Sequence, residues 1–500
     1  MSLYNYYPNH PDLLKPPKPP SHTELLLEFT ADIELFCSDD GCAYAALPLG
    51  RNGVQLIPVQ HAVFRDWIIS TFYSRHNVPP DDRPLRRILR TLNARALAGS
   101  ERRPVHLRVA SILDDPNGPM IALDLLNNEG ETVEITREGW QVSEGLHSFR
   151  SSRGAGALPR PVQPDDSAAV LHTLRSLLKP ASGQDWTRCL VWLINALWPE
   201  GPYPILALTG PPASGKSTAA RLLRGLVDPS AAPLFLLPLT ERQLLAHAYR
   251  SRVLAFDHVT RIPWRISEAL CALATGGGLE LPKHYDNSEP AHITLQRPMI
   301  LSIPHSAGLN LPEELRDRSL PVAMSPLLPR NRSTDEQVRR DFETQRPQIL
   351  GALCNALSAA LRRVGEITPE TSSRFASATA RALAAAPELG LSEKAILSAT
   401  SRASLRSHDP VLQAVCALAL DERQWAGTPT ELLSTLRPRW GRRWPDNPKA
   451  LSQRLNKAAA LLESEGVRIA FHRSNGKRHV TVTQVTPTCG TVSRPPQQDQ

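Results

Sequence analysis

No uninterrupted apolar run among the 500 residues reaches the length of a bilayer span, which excludes an integral helical membrane protein. The N-terminal stretch MSLYNYYPNHPDLLKPPKPPSH also lacks an apolar signal core. It reads as a Pro-rich extended tail, and residues 1–30 are expected to be disordered. Cysteine is scarce and odd in number: there are seven, none in a C-x-x-C pair. Cys37 and Cys42 are the only close pair, and no His or Cys cluster completes a zinc site around them. A disulfide framework and structural zinc are thereby excluded, and all seven are expected as reduced thiols of a cytoplasmic protein. Aromatic residues make up only 5%, so packed cores rest on the aliphatic part of a 41% hydrophobic composition. The length suggests about three or four domains, and no internal repeat is visible.

Acidic residues run short in one place. The net charge is +8. Between Arg437 and Arg478 there are eleven Lys or Arg against three Asp or Glu, so that segment alone holds an excess equal to the net charge of the whole chain. A localised positive field points to a polyanionic partner.

The pattern along the chain divides it. Residues 31–150 mix short strands with one helix: CAYAALPLGRNGVQLIPV reads as a hairpin and VFRDWIISTFYSR as a helix. The Gly/Pro/Ser-rich stretch 151–167 reads as a linker. Residues 168–335 alternate apolar strands with helices, and 336–420 are Ala/Leu/Arg-rich with helical periodicity. Residues 428–486 hold two helical patterns followed by two strands joined at Asn475-Gly476, the order of a winged helix-turn-helix. The polar end, 487–500, is expected to be disordered.

The most specific motif lies at Gly210-Pro211-Pro212-Ala213-Ser214-Gly215-Lys216-Ser217, followed by Thr218. It fits the phosphate-loop pattern and lies between an apolar strand, YPILALTG, and an Ala/Leu-rich helix. Glycines at such a turn let successive N–H groups converge on an anion, and the helix N-terminus adds about half a positive charge. Lys216 would reach the β- and γ-phosphates of ATP, and the Ser217 hydroxyl would ligand Mg²⁺. Downstream, RVLAFDHVT ends a second strand in Asp257, where a carboxylate would complete the metal shell. RPMILSIPH carries Ser302 at the place of a γ-phosphate sensor. LRDRSLPVAM offers Arg316 and Arg318 before a fourth strand, where an arginine can project into a neighbouring subunit's site.

At these motifs, together with SEALCALATGGG and IALDLL…VEITREGW, the chain resembles ATP-binding proteins of actinobacterial-type prophages and integrative elements, over about residues 35–485. The core of that family is similar to superfamily 3 and poxvirus-type primase-helicase ATPases, which form rings on DNA. The resemblance implies nucleotide, metal, sensor and finger roles for Lys216, Ser217, Asp257, Ser302 and Arg318. It also implies a channel-facing role for Lys283 and His284, which match a Lys-His pair that grips the DNA backbone in superfamily 3 helicases. Three features depart from the pattern. His258 stands where superfamily 3 helicases place an acidic residue and the mobile-element family an Asn; Ser302 replaces a usual Asn; and the loop is unusually rich in proline. These departures bear on the speed of hydrolysis more than on nucleotide binding.

In the C-terminal segment, Arg454 and Lys457 lie on a helix whose Leu451, Leu455 and Leu462 form an apolar face. Arg473, Lys477 and Arg478 flank the hairpin tip, where a wing meets phosphates. The expected fold is α/β: a P-loop NTPase core of AAA+ or superfamily 3 type, with a mixed α+β N-terminal domain, a helical segment and a C-terminal winged helix. The expected function is that of an ATP- and Mg²⁺-dependent ATPase acting on DNA as helicase or replication initiator of a mobile element, in a homo-oligomeric ring. The alternative is a nucleotide-gated DNA-binding regulator with little or no hydrolysis. A small-molecule kinase would leave the winged helix without a purpose.

Overall fold

The computed structural model describes residues 20–49, 53–99, 102–112, 118–144, 149–152, 154–281, 291–304, 311–326, 334–369, 375–401, 410–436, 445, 447–464, 466–474 and 477–485. The chain divides into two units. One holds residues up to Arg108 with Leu126–Thr132 and Ser143–Ser151; the other holds Val109–Leu125, Val133–Val142 and everything from Ser152 onward.

The first unit begins with α1 (His22–Thr30), then β1 (Glu34–Ser38), β2 (Ala43–Leu49) and β3 (Gly53–Pro58). Helices α2 (Ala62–His76) and α3 (Asp82–Ala98) and the short β4 (Arg102–Arg103) follow. The sheet order is β3-β2-β1-β4, with β4 parallel to β1. Leu26, Phe64, Ile68, Phe72, Ile88 and Leu92 meet in one core with Ala45 and Leu47 of β2. Two expectations are corrected here. Residues 22–30 form a helix rather than continuing a disordered tail, because Ser21 and Glu24 make a reciprocal capping box and Leu26 is fully buried. A second helix, α3, stands in a region whose sequence pattern predicts only one.

Strands β5 (Val109–Ile112), β6 (Met120–Asp124), β7 (Glu131–Ile135) and β8 (Trp140–Glu144) form a sheet in that order; Glu131, Thr132, Ser143 and Glu144 are counted with the first unit and the rest with the second. The expectation of one domain over 31–150 therefore differs from the structure. Val109, Ile121, Leu123, Val133 and Ile135 are buried with Leu171, Trp192 and Leu353 far along the chain, and that shared core sets the division.

The stretch expected to be a linker is a packed strap. Leu158 is 2% exposed. The backbone bonds Leu125 through Leu158 N–H (2.8 Å), Pro229 through Gly156 N–H (2.8 Å) and Pro347 through Val162 N–H (3.0 Å). Its Pro and Gly content suits an extended run that donates few N–H groups and lies close to other backbone.

Helices α4 (Ser167–Leu178) and α5 (Gly183–Leu197) lead to β9 (Ile205–Gly210), α6 (Lys216–Val227), α7 (Glu241–Arg250), β10 (Leu254–Phe256) and α8 (Trp264–Thr275). Strands β11 (Gly278–Leu281) and β12 (Ala291–Thr294) form a small antiparallel ribbon. Then come β13 (Met299–Pro304), α9 (Glu313–Arg316), β14 (Ser319–Ala323), α10 (Asp335–Arg363), α11 (Ala376–Leu389) and α12 (Glu393–Thr400). The central sheet is wholly parallel, in the order β10-β13-β9-β14. Successive residues of β9 face opposite cores: Leu206 and Leu208 pack with α5, α6 and α10, while Ile205 and Ala207 pack with α7 and α8. Both faces are covered, as a parallel sheet requires. Helices α10 and α11 belong to the first of these cores, so they extend the sheet layer.

A glycine in α10 records how closely the strap lies. A Cβ on Gly351 would overlap the Val162 carbonyl oxygen and sit 2.8 Å from its carbon, both backbone atoms. Gly351→Ala is expected to destabilise this unit by about 1–3 kcal/mol through forced backbone displacement. An unchanged thermal midpoint in Gly351→Ala would contradict the docked strap.

The last elements are α13 (Pro410–Glu422), β15 (Gln424–Gly427), α14 (Pro429–Leu436), α15 (Pro448–Lys457), α16 (Ala459–Ser464), β16 (Val467–Ser474) and β17 (Lys477–Gln484). The strands order as β15-β17-β16, all antiparallel. Val411, Val415, Leu432, Leu451, Leu462 and Val480 share a core of their own. Helix α13 thus packs with the C-terminal elements, although the sequence groups it with the helical segment ending at 420. Among the described residues, no helix is long and apolar enough to cross a membrane.

Candidate nucleotide site and nucleic-acid interface

In the parallel sheet, β9 is flanked by β13 on one side and β14 on the other, with crossovers leaving in opposite directions. Crevices for ligands open at the carboxyl ends of strands at such a reversal. Residues 210–215 lie there, between β9 and α6. Ala213 and Gly215 take left-handed φ of 59° and 80°, which turn the loop back on itself before the helix starts. A Cβ on Gly210 would sit 2.7 Å from Ser214 Oγ and 3.2 Å from the Met324 carbonyl, so the close approach of β14 and the loop excludes a side chain. Ser214 is buried, and no side chain caps the N-terminus of α6.

Lys216 curls over the loop. Its ammonium donates to the carbonyls of Gly210 (3.0 Å) and Pro211 (2.8 Å) and to Ser214 Oγ (3.4 Å). Burial pulls its pKa below the ordinary lysine value, against the opposing pull of Asp257. Ser217 donates to Asp257 Oδ1 at 2.9 Å. Asp257 follows β10, and the same oxygen accepts the His258 N–H at 3.0 Å. Burial raises the Asp257 carboxyl. The hydroxyls of Ser302 and Ser217, the His258 N–H and the charge of Arg221 together outweigh it and hold the group below the usual carboxylate range. Asp257 is therefore an anion at neutral pH.

Ser302 lies in β13, the strand between β9 and β10, and is 1% exposed. Its hydroxyl helps to lower the Asp257 pKa, and its carbonyl accepts the Val259 N–H (2.9 Å). Lys216, Ser217, Asp257 and Ser302 thus meet at one end of the sheet. His258 is exposed at φ 54°, a conformation that His and Asn reach more readily than most residues. Arg221, one turn into α6 from Ser217, is not part of the loop motif; the sequence signal for it is its spacing from Ser217 on a helix.

Arg318 lies apart from this cluster. Its carbonyl accepts the Ile205 N–H (2.9 Å) at the start of β9, opposite the loop. The length of β9, roughly 17 Å at about 3.3 Å per residue, separates it from Gly210. Its Nη1 donates to the Glu314 carbonyl (2.8 Å), and its buried Nε finds no partner among the described residues. Arg316 is exposed, with Nη2 on the Leu311 carbonyl (3.2 Å).

Lys283 and His284 lie outside the described residues. In the C-terminal elements, Arg454 is half-buried on α15, whose Leu451 and Leu455 face the core. Lys457 ends α15 and Lys477 opens β17. Arg473 and Arg478 are exposed and directly opposite across the hairpin, with the Arg478 guanidinium 4.9 Å from the Phe471 ring centre. Like charges placed opposite each other weaken a hairpin. Among the described residues, no group of three or more His, Cys, Asp or Glu could hold a metal ion. The Cys189 and Cys354 thiols are buried, which raises their pKa and keeps them protonated.

Residues 171–405 match the family described as actinomycete integrative conjugative element replication protein, and residues 411–495 match that family's RepA C-terminal domain. The boundary between the matches falls just before α13, where the separate C-terminal core begins. No curated protein matches the chain. Among solved structures, the apo C-terminal region of NrS-1 is similar at 11% identity and a TM-score of 0.38, covering 93% of this chain and 100% of that one. An ATPase candidate from Cytophaga hutchinsonii is similar at 14% identity and a TM-score of 0.28, covering 46% and 85%. Those two scores are too low to establish a common fold. The two family matches follow one another along the chain, over residues 171–405 and 411–495, and together support a replication protein of a conjugative element.

Proposed function

We propose that this replication protein is an ATPase acting on DNA, as helicase or initiator, with Mg²⁺·ATP bound at the 210–217 loop. One observation carries the reading: the Ser217 hydroxyl and the Asp257 carboxylate stand 2.9 Å apart at the carboxyl ends of parallel strands, beside Lys216 and an uncapped helix N-terminus. Two oxygens held at about 2.1 Å and at right angles around one Mg²⁺ lie about 3 Å apart, so this donor set fits the ion. Mg²⁺ would supply charge neutralisation on the phosphate oxygens. The loop N–H groups would cradle the phosphates, and Lys216 would exchange its carbonyl partners for phosphate oxygens. Ser302 would help to keep the Asp257 carboxylate ionised. The loop from Gly210 to Ser217, with Thr218, would form the phosphate cradle of a P-loop core.

Arg318 cannot reach the loop of its own chain, and in this reading it serves a neighbouring copy in a ring. The C-terminal elements act as a winged helix on duplex DNA, through Arg454, Lys457, Arg473, Lys477 and Arg478. Those residues report phosphate contact and carry no base-specific signature.

Turnover of Mg²⁺·ATP by the full chain, with and without DNA, tests the reading. The expected result is DNA-stimulated hydrolysis that Asp257→Asn removes, since the neutral amide cannot balance a divalent cation. Hydrolysis absent under all conditions would overturn the ATPase.

A further inference from the structure

We propose that helix α3 of the first unit is a second nucleic-acid interface, built from Arg83, Arg86, Arg87 and Arg90. The inference rests on the reading of the chain as a DNA-acting protein, but on none of the residues used for it above.

Helix α3 buries Leu85, Ile88, Leu92 and Ala96 against the core of its unit. At about 100° per residue, Arg83, Arg86, Arg87 and Arg90 fall within an arc of roughly 100° centred opposite that buried stripe. All four are exposed. None of them has a carboxylate within ion-pair distance among the described residues; Arg86 Nε reaches only the Asp82 backbone carbonyl, at 3.4 Å. Nearby acids are engaged elsewhere. Asp81 meets His22 at 3.2 Å, and Glu24 takes the Ser21 N–H at 2.7 Å. Solvent-facing helix positions usually mix charges of both signs, and α3 has Asp82 as its single acid.

The chemistry of the side chains indicates the occupant. No lysine lies between Lys18 and Lys179, so every fixed cation of this surface is a guanidinium. Guanidinium groups bind phosphate through paired N–H donors and shed water more readily than ammonium. From Arg83 to Arg90 the helix rises about 10 Å. That matches about three nucleotide steps of one strand at about 3.4 Å each. A row of unpaired guanidinium groups of that length complements a phosphate backbone.

The test uses the full-length protein and fluorescently labelled oligonucleotides, single-stranded and duplex, with affinity measured across a range of salt. Each phosphate contact contributes about 0.9 to the log–log salt slope on duplex and about 0.7 on a single strand. Changing all four residues by Arg→Gln is expected to flatten the slope by about 3 to 4 on the form that α3 binds, with an unchanged thermal midpoint. The matching Arg→Lys variant should retain the slope. If the Gln variant keeps the wild-type slope while Arg473→Gln with Arg478→Gln flattens it, α3 is not an interface and the DNA-acting reading stands. Equal loss in the Gln and Lys variants would also overturn the proposal, because the effect would not follow charge. No salt-dependent binding by the wild type would overturn both readings. Retention of an acidic protein by α3, with DNA binding unaffected, would assign the ridge to a different partner and overturn the proposal.

Discussion

Lys216→Ala is expected to remove most of the affinity for Mg²⁺·ATP. The lysine is half-buried and its charge lies within the loop, bonded to the Gly210 and Pro211 carbonyls and Ser214 Oγ. A triphosphate set against those carbonyls without the ammonium would face uncompensated negative charge in a partly desolvated place. Charged hydrogen bonds are worth about 1.5–3 kcal/mol each. Loss of two or three therefore corresponds to at least a hundredfold in affinity on that scale. Binding of a fluorescent nucleotide analogue to wild type and variant measures it directly. Equal affinity would remove the 210–217 loop from the nucleotide site. Lys216→Arg separates charge from shape: it keeps the cation but cannot fold under the same carbonyls, so affinity should recover only in part.

Arg318→Ala is expected to leave nucleotide binding intact and to reduce turnover by on the order of a thousandfold, as loss of a finger arginine does in other NTPases. The geometry makes the reason specific. Arg318 stands at the amino end of β14 while the loop stands at the carboxyl end of β9, and no rotamer spans the sheet. In the proposed ring, Arg318 would act on hydrolysis at the site of another copy of the chain. Mixing Arg318→Ala with Lys216→Ala should restore partial turnover, because some interfaces then pair an intact loop with an intact arginine. Mixtures without recovery, given an active wild type, would rule out the shared site. Full activity in Arg318→Ala alone would remove the finger.

How much of this could be read from the chain depends on the distance over which each residue's role is set. The strand before Gly210 and the helix after Gly215 stand where the loop pattern placed them, because backbone dihedrals and local periodicity determine both. Asp257 directly follows β10, as its strand pattern predicts, whereas β13 runs two residues past Ser302, to Pro304. That Ser302 acts on the ionisation of Asp257 is not legible in the sequence, since it depends on β13 entering the sheet between β9 and β10. Helix α3 is hard to recognise in the sequence because Pro84 and a high density of arginine hide a four-residue apolar stripe. Proline in the first turn costs a helix nothing, since that N–H has no partner there. The segment 154–166 misleads for the opposite reason. Its composition is that of a linker, and only partners far away in sequence make it part of a core.

That strap has a consequence for the order in which the protein matures. The Ala157 carbonyl accepts a guanidinium N–H from Arg346, 189 residues further along the chain. A ribosome adding about 5–20 residues per second needs on the order of 10–40 s to cover that interval. Throughout it, the strap and the apolar face of β5–β7 wait without α10, whose Leu353 completes their core. The sheet cannot close over its first half as it is made; it closes backward, once the later helix arrives. Nascent chains halted before α10 should therefore be cut by protease within 154–166, whereas chains carried past α10 should resist. Long-range closure of this kind slows folding. The cell must hold the exposed strands in a soluble state until the helix that covers them has been made.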